Sequence, residues 1–187
     1  MKAIIAALAL TAALSAGAQD VVTIEFNNGN TQTINVADIK EMRFEQKSTI
    51  AGEYTGEISV VVGGQFTYKT TITGTVSENP DGTINFTYPE YVLTGTVMGD
   101  LTLGTVTIPD IAYDEAKGAY FRDYSADGIK QHFTAVSGGN TSMNNDYVLG
   151  AGSTITLKFD GNSVSIQNPF KLGAMPFPLV ATFAGTK

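Results

Sequence analysis

Few side chains in this 187-residue sequence could perform chemistry, and His132 is its only histidine. Ser125 and Ser137 lie near it in the sequence, and Asp123 or Asp127 could orient its ring. A serine–histidine–acid site needs all three groups to converge beside donors for an oxyanion. The sequence has no turn typical of a nucleophile, so we interpret His132 as a strand or solvent-facing residue. We predict no catalytic residue and no enzymatic activity.

Acidic side chains offer a second possibility at Asp110, Asp114 and Glu115, with Tyr113 among them. Two carboxylates at a suitable separation could hydrolyse a glycosidic bond, and carboxylates with backbone carbonyls could bind calcium. The spacing does not match a calcium loop, which favours a solvated acidic loop. One histidine and no cysteine leave little for zinc. We predict no metal and no cofactor, and keep a carboxylate-dependent hydrolase as the weaker alternative.

Aromatic side chains are the remaining candidates for binding a ligand. Phe66, Tyr68, Phe86 and Tyr88 occupy alternating positions and are predicted to line the interior as ligand-binding residues. Two interpretations stay open. The rings fill the interior to the density of a protein core, or they line a cavity in which tyrosine hydroxyls orient a ligand.

The elements that must position these residues are strands. From Val21 onward, threonine, valine, isoleucine and aromatic residues alternate with glycine-containing turns, and no long segment has helical spacing. Asn28-Gly29 predicts a hairpin turn, and after Gly104 the apolar alternation changes phase, as at a bulge. The polar stretch Ser137–Asn145 predicts a loop.

We predict an all-β protein with an N-terminal β-hairpin unit at residues 19–47 and a barrel domain at residues 48–187. The barrel is an antiparallel calycin- or lipocalin-like barrel of about 8–10 short strands. A two-sheet β-sandwich is the alternative, because alternation fixes which side chains share a face but not how the sheet closes. Closure is favoured because flat, threonine-rich strands with few charges would pair between molecules if their edges were open.

The first residues predict export. Lys2 precedes an apolar run at residues 3–15, and the small residues Ala16-Gly17-Ala18 follow. This pattern is typical of a signal peptide, residues 1–18, cleaved after Ala18. The run is shorter than the roughly 20 residues of a membrane-spanning helix. We therefore expect a soluble protein in the periplasm or outside the cell.

The charge of the chain limits its partners. The formal net charge of −7 repels the nucleic-acid backbone, and no basic stripe offsets it. It also argues against charge-driven adhesion to anionic lipid. We predict no nucleic-acid partner, while a small apolar ligand and a protein partner both remain possible.

Short glycine-based motifs carry a family resemblance. Ala51-Gly52-Glu53-Tyr54-Thr55-Gly56, Gly99-Asp100-Leu101-Thr102-Leu103 and Phe183-Ala184-Gly185 resemble the calycin-like β-barrel domain family over about residues 50–187. The preceding hairpin, ending in Asp38–Phe44, resembles a short N-terminal unit of exported bacterial proteins. Calycin-type barrels such as lipocalins hold small apolar molecules, which the resemblance implies here too. The sequence has no tryptophan and so lacks the Gly-x-Trp signature of true lipocalins.

Three functional hypotheses follow. The first is a non-enzymatic exported protein that binds a small apolar or amphipathic ligand inside the barrel. The second is a structural or protein-interaction module with a filled barrel, in which the hairpin adds a strand to a neighbour. The third is the hydrolase. An internal cavity of several hundred Å³ would favour the first, and a solid interior the second.

The proline-rich segment Phe170–Pro178 could plug the barrel, cover it, or present an apolar patch.

Overall fold

The computed structural model describes residues 21–25, 29–39, 49–173 and 177–187. The chain divides into two compact units, Met1–Lys47 and Ser48–Lys187. The predicted signal peptide lies outside the described residues. Within the described ranges, no helix has the length and apolar character that crossing a membrane would require.

The first unit contains a small antiparallel hairpin of β1 (Val21–Glu25) and β2 (Thr31–Asn35). One turn of 3-10 helix, Val36–Asp38, follows. The Asn35 side chain accepts a hydrogen bond from the Ala37 N–H at 3.0 Å and so caps that turn. Most side chains of the hairpin are exposed.

The second unit consists of strands whose neighbours are all antiparallel. The strands are β3 (Gly52–Val62), β4 (Phe66–Glu78), β5 (Ile84–Tyr88), β6 (Tyr91–Thr96), β7 (Gly99–Leu103), β8 (Val106–Asp114), β9 (Ala119–Asp123), β10 (Lys130–Ser137), β11 (Asn140–Val148), β12 (Thr154–Asp160), β13 (Ser163–Phe170) and β14 (Leu179–Thr186).

Eight of these strands form a closed barrel in the order β12-β13-β14-β3-β4-β5-β8-β9. The last strand pairs with the first, with Phe183 opposite Ile58. Closure satisfies the backbone groups that an open edge would expose. The predicted antiparallel barrel is confirmed, and the sandwich alternative is not what the chain forms.

The other four strands form a sheet in the order β11-β10-β7-β6, which continues from one end of the barrel. Two long hairpins contribute strands to both the barrel and this sheet. One changes from barrel to sheet at Pro89-Glu90 and back at Gly104-Thr105. The other does so between β9 and β10 and between β11 and β12. Proline lacks the N–H that a continuous ladder requires. The predicted change of phase at Gly104 coincides with the junction of β7 and β8.

The prediction of a loop at Ser137–Asn145 is wrong. Most of this stretch belongs to β10 and β11, which are joined by a tight turn at Gly138-Gly139. Both glycines have positive φ, 57° and 81°, which few other residues adopt. The polarity that suggested a loop has another cause, because β11 is an edge strand whose side chains are mostly exposed.

The centre of the barrel is filled by aromatic rings packed against glycines. Phe86 is completely buried, and its ring lies 6.2 Å from that of Phe183 between centroids. A Cβ at Gly74 would lie 2.5 Å from the Phe86 ring, and one at Gly185 would lie 2.5 Å from the Phe183 ring. These two glycines therefore make the room that the rings occupy, so the centre is packed core.

Candidate functional site

The four predicted lining residues occupy different environments. Phe86 and Tyr88 are buried in the filled centre, and Tyr68 is half-buried nearer the end of the barrel. Phe66 is 46% exposed, so its predicted place in the interior is wrong. It shares the inward face of β4 but pairs with Val62 beside the β3–β4 turn, where the barrel wall ends. The four residues do not form one internal ring.

An apolar cavity of about 230 Å³ lies at this end of the barrel. We call it the mouth pocket. Its walls come from the ends of β3, β4 and β14, from the β6–β7 hairpin, from β10 and β11, and from the segment before β14. The lining residues are Val62, Tyr68, Thr96, Val97, Met98, Leu101, Phe133, Met143, Leu172, Phe177 and Leu179. No charged side chain is among these described lining residues, so the pocket is suited to apolar groups.

Exposed apolar side chains surround the opening of the mouth pocket. Val97 is 71% exposed, Phe177 60% and Met98 39%, and all three contribute to the lining. Phe177 lies over the β3–β4 turn, where a Cβ on Gly63 would be 3.4 Å from its ring. Contiguous exposed apolar groups are typical of binding surfaces.

Two residues with hydroxyl groups line the pocket, but the surface they present to it is almost entirely apolar. Thr96 Oγ1 donates to the Gly99 carbonyl at 2.6 Å and accepts from the Met98 N–H at 3.1 Å, so it serves the local turn. Tyr68 Oη accepts a hydrogen bond from the Val97 N–H at 3.2 Å. Both oxygens therefore support the β6–β7 turn and are not presented to a ligand.

His132 is engaged in an exposed cross-strand contact. Its Nδ1 lies 2.7 Å from Asp146 Oδ1 and its Nε2 lies 2.9 Å from Asn144 Oδ1. Ser125 Oγ donates to Asp123 instead, at 2.5 Å. Ser137 is five residues from His132 on the same strand, which places it about 17 Å away. Neither serine is therefore positioned as a nucleophile for this histidine.

The pKa of His132 is raised above 6.5, first by the hydrogen bond to Asp146 and then by that to Asn144. We expect Asp146→Asn to lower the His132 pKa, as measured by NMR titration of the imidazole protons. A raised folded-state pKa stabilises the protein below the unfolded pKa, and this contribution is lost as pH rises through the folded value. Asp123→Asn is the control and should leave the His132 pKa unchanged, whereas an equal shift in both variants would contradict the assignment.

The acidic residues also have structural partners. Asp114 accepts a hydrogen bond from Lys117 Nζ at 2.6 Å, which with the Lys117 N–H lowers the Asp114 pKa. Asp110 occupies a bulge of β8 at φ 49°, and its carboxylate accepts a hydrogen bond from Asn79. Asp110 and Asp114 are four residues apart on one strand, about 13 Å, farther than the roughly 5–9.5 Å of glycosidase pairs.

The structure also bears on metal binding. No group of three or more histidine, aspartate or glutamate side chains that could hold a metal ion occurs among the described residues.

Most of the mouth pocket was not predicted. Val62 and Phe133 look like ordinary core residues in the sequence, Met143 lies in the stretch predicted as a loop, and only the fold brings the three together. One signal was present, since Val97-Met98 places two apolar side chains at a hairpin turn, where polar residues are usual. Phe177 belongs to the proline-rich segment for which a covering or exposed role was expected.

The comparison with protein-family models agrees with this architecture. Residues 50–186 match the family model of the calycin-like beta-barrel domain. No curated protein matches the chain. A crystal structure titled as that of a "putative outer membrane protein" from Bacteroides fragilis is similar, with 22% identity and a TM-score of 0.48. The match covers 74% of this chain and 51% of the other, so this chain spans about half the length of that structure. On the family match, the chain belongs to the calycin-like β-barrel domain family.

Proposed function

We propose that this protein is a non-enzymatic binding protein that holds a small, uncharged, apolar molecule in the mouth pocket. The observation that carries the proposal is the pocket itself, a partly enclosed apolar cavity whose opening is surrounded by exposed apolar side chains. The site differs from the predicted interior of the barrel, because Phe86 and Phe183 occupy that space. His132 and the acids of β8 have structural partners, which favours binding over catalysis.

The size of the cavity limits the ligand. A volume of about 230 Å³ is below the roughly 300–1,000 Å³ of drug-sized ligand sites. It exceeds the about 150 Å³ of an apolar cavity that accommodates benzene. The pocket therefore suits one small ring system or the end of an acyl chain. A longer molecule would extend past Met98 and Phe177 into solvent.

The chemistry of the lining limits the ligand further. A buried charge without a partner is costly, and the described lining offers no opposite charge. The surface of the pocket is almost entirely apolar, so it offers a ligand no polar group either. We therefore propose an uncharged ligand whose buried part is purely apolar. If the predicted signal peptide is cleaved, the protein meets this ligand in an exported compartment.

Binding can be tested with a matched pair of fluorescent probes. We expect 1-N-phenylnaphthylamine, which is uncharged, to bind with its naphthyl group in the pocket and its phenyl group at the opening, with increased fluorescence. Its sulfonated relative 1-anilinonaphthalene-8-sulfonate should bind at least about tenfold more weakly, because the pocket would have to desolvate the sulfonate. Equal or tighter binding of the sulfonated probe would contradict an uncharged ligand.

A substitution at the opening tests the location. We expect Met98→Trp to fill the pocket and weaken binding of 1-N-phenylnaphthylamine at least about tenfold. Met98 is half-exposed, so the larger side chain should be tolerated. Val92→Trp is the matched control, because Val92 is 42% exposed on the same hairpin but does not line the pocket. If both variants bind the probe as the unmodified protein does, the mouth pocket is not the site.

A protein-interaction module is the second candidate. The filled centre and the exposed Val97 and Phe177 favour it, because a partner could cover these side chains without any ligand. The probe experiment distinguishes the two candidates. A pure interaction module would show no saturable binding of 1-N-phenylnaphthylamine at a site that Met98→Trp blocks.

A further inference from the structure

One polar atom deep in the barrel domain lacks a hydrogen-bonding partner. The Tyr88 hydroxyl is completely buried, and it has no partner among the residues that the structure describes. Buried polar groups in folded proteins are almost always paired, and an unpaired one needs an explanation such as a bound water or ligand. Tyr88 does not line the mouth pocket, so this feature is separate from the proposed site.

Other buried hydroxyls lie near Tyr88. Burial raises the pKa of Tyr88 well above 10, and the proximity of Tyr91 and Tyr124 raises it further. Burial also raises the pKa of Tyr91, and it raises that of Tyr124 to about 12. All three phenols are therefore neutral at physiological pH. The Tyr124 oxygen has its partner already, because it accepts a hydrogen bond from Asn168 Nδ2 at 2.6 Å.

We propose that the Tyr88 hydroxyl is the donor of an internal binding site for one uncharged acceptor oxygen. The oxygen belongs either to a buried water or to the hydroxyl or carbonyl group of a small ligand. Tyr91 and Tyr124 lie near it, so this part of the core carries more than one hydroxyl group.

The neutrality of the bound group follows from its surroundings. Among the described residues, the buried polar side chains are Gln131, Ser153 and Asn168, all uncharged. Gln131 and Asn168 already donate to backbone carbonyls, at 2.8 Å to Gly104 and 2.7 Å to Thr154. An ionised carboxylate at this depth would have no cation to offset its loss of hydration. A neutral carbonyl oxygen needs only the hydrogen bond from Tyr88, whereas a water or hydroxyl must also donate its own hydrogens, for which the phenol oxygens of Tyr91 and Tyr124 are nearby acceptors.

The direct test is a high-resolution crystal structure of two preparations. One is purified without denaturation, and the other is unfolded in guanidinium and refolded in ligand-free buffer. We expect an oxygen about 2.6–3.0 Å from Tyr88 Oη. A water in both preparations identifies the source as solvent, and an organic group in the first replaced by water in the second identifies a ligand. The proposal would be overturned if neither preparation shows such an oxygen, or if Tyr88 Oη makes a direct hydrogen bond to Tyr91 or Tyr124.

The substitution Tyr88→Phe is an independent test, because the direction of its effect on the melting temperature distinguishes a hydrogen-bonded hydroxyl from an unpaired one. If the hydroxyl is hydrogen-bonded, Tyr88→Phe should lower the melting temperature of the refolded protein by about 2–6 °C. If the hydroxyl is unpaired, removing it raises the melting temperature, which would overturn the proposal. Tyr124→Phe, which removes the contact with Asn168, calibrates the loss of one buried hydrogen bond. Failure of the mouth pocket to bind probes would leave this test unaffected.

Discussion

Gly56→Ala is expected to destabilise the barrel domain by more than about 3 kcal/mol. A Cβ at position 56 would lie 1.8 Å from the carbonyl oxygen of Ala184 and 2.6 Å from Gly185 Cα. Both atoms belong to the backbone of β14, which pairs with β3 to close the barrel. No rotation of a side chain can relieve such a contact, so the closing strands must separate locally. Urea denaturation monitored by circular dichroism measures the loss.

Gly150→Ala is the matched control for this experiment. Gly150 has an ordinary φ, and an added Cβ there meets no atom within 4 Å. We expect a change within about 0.5 kcal/mol, or a slight gain from the reduced freedom of the unfolded chain. If Gly56→Ala costs no more than Gly150→Ala, then β3 and β14 do not approach each other as closely as the structure has them.

The sequence predicted the barrel because alternation and turn residues are local properties. Side chains such as Ile72 and Val76 on β4 are buried, as their spacing requires. From the sequence, closure of the barrel could be argued only from the tendency of open strand edges to pair between molecules. The pairing of Phe183 with Ile58 now shows that the barrel is closed. The bend at Gly104 was visible as a change of phase, but its result, a separate sheet at one end, was not.

Phe66 shows the limit of alternation. Spacing by two places Phe66 and Tyr68 on the same face of β4 as Ile72, and they do share it. Alternation does not say how far along the strand the interior extends, and the barrel wall ends near Val62. The mouth pocket was beyond prediction for a related reason. It joins Val62, Phe133 and Phe177, whose proximity depends on the whole topology and leaves no periodic signal.

Phe86→Ala is expected to destabilise the protein by about 3–5 kcal/mol, because Phe86 is completely buried and its removal leaves a cavity. The cavity should persist in part, since the surrounding strands are fixed by the closed barrel. Phe66→Ala is the control, because Phe66 is half-exposed and its loss should cost about 1 kcal/mol or less. Urea denaturation of the two variants measures the difference.

The same variant tests whether the centre of the barrel is core or ligand chamber. If Phe86 fills the centre, Phe86→Ala should create an apolar cavity in which benzene binds and partly restores stability, as in cavities of about 150 Å³. Benzene should not stabilise the unmodified protein through that position, because the ring of Phe86 already occupies it. If the centre is instead a ligand chamber, benzene should already stabilise the unmodified protein. Met98→Trp should then leave this stabilisation by benzene unchanged. Such a result would return the binding site to the interior of the barrel, where the alternation of aromatic residues first placed it.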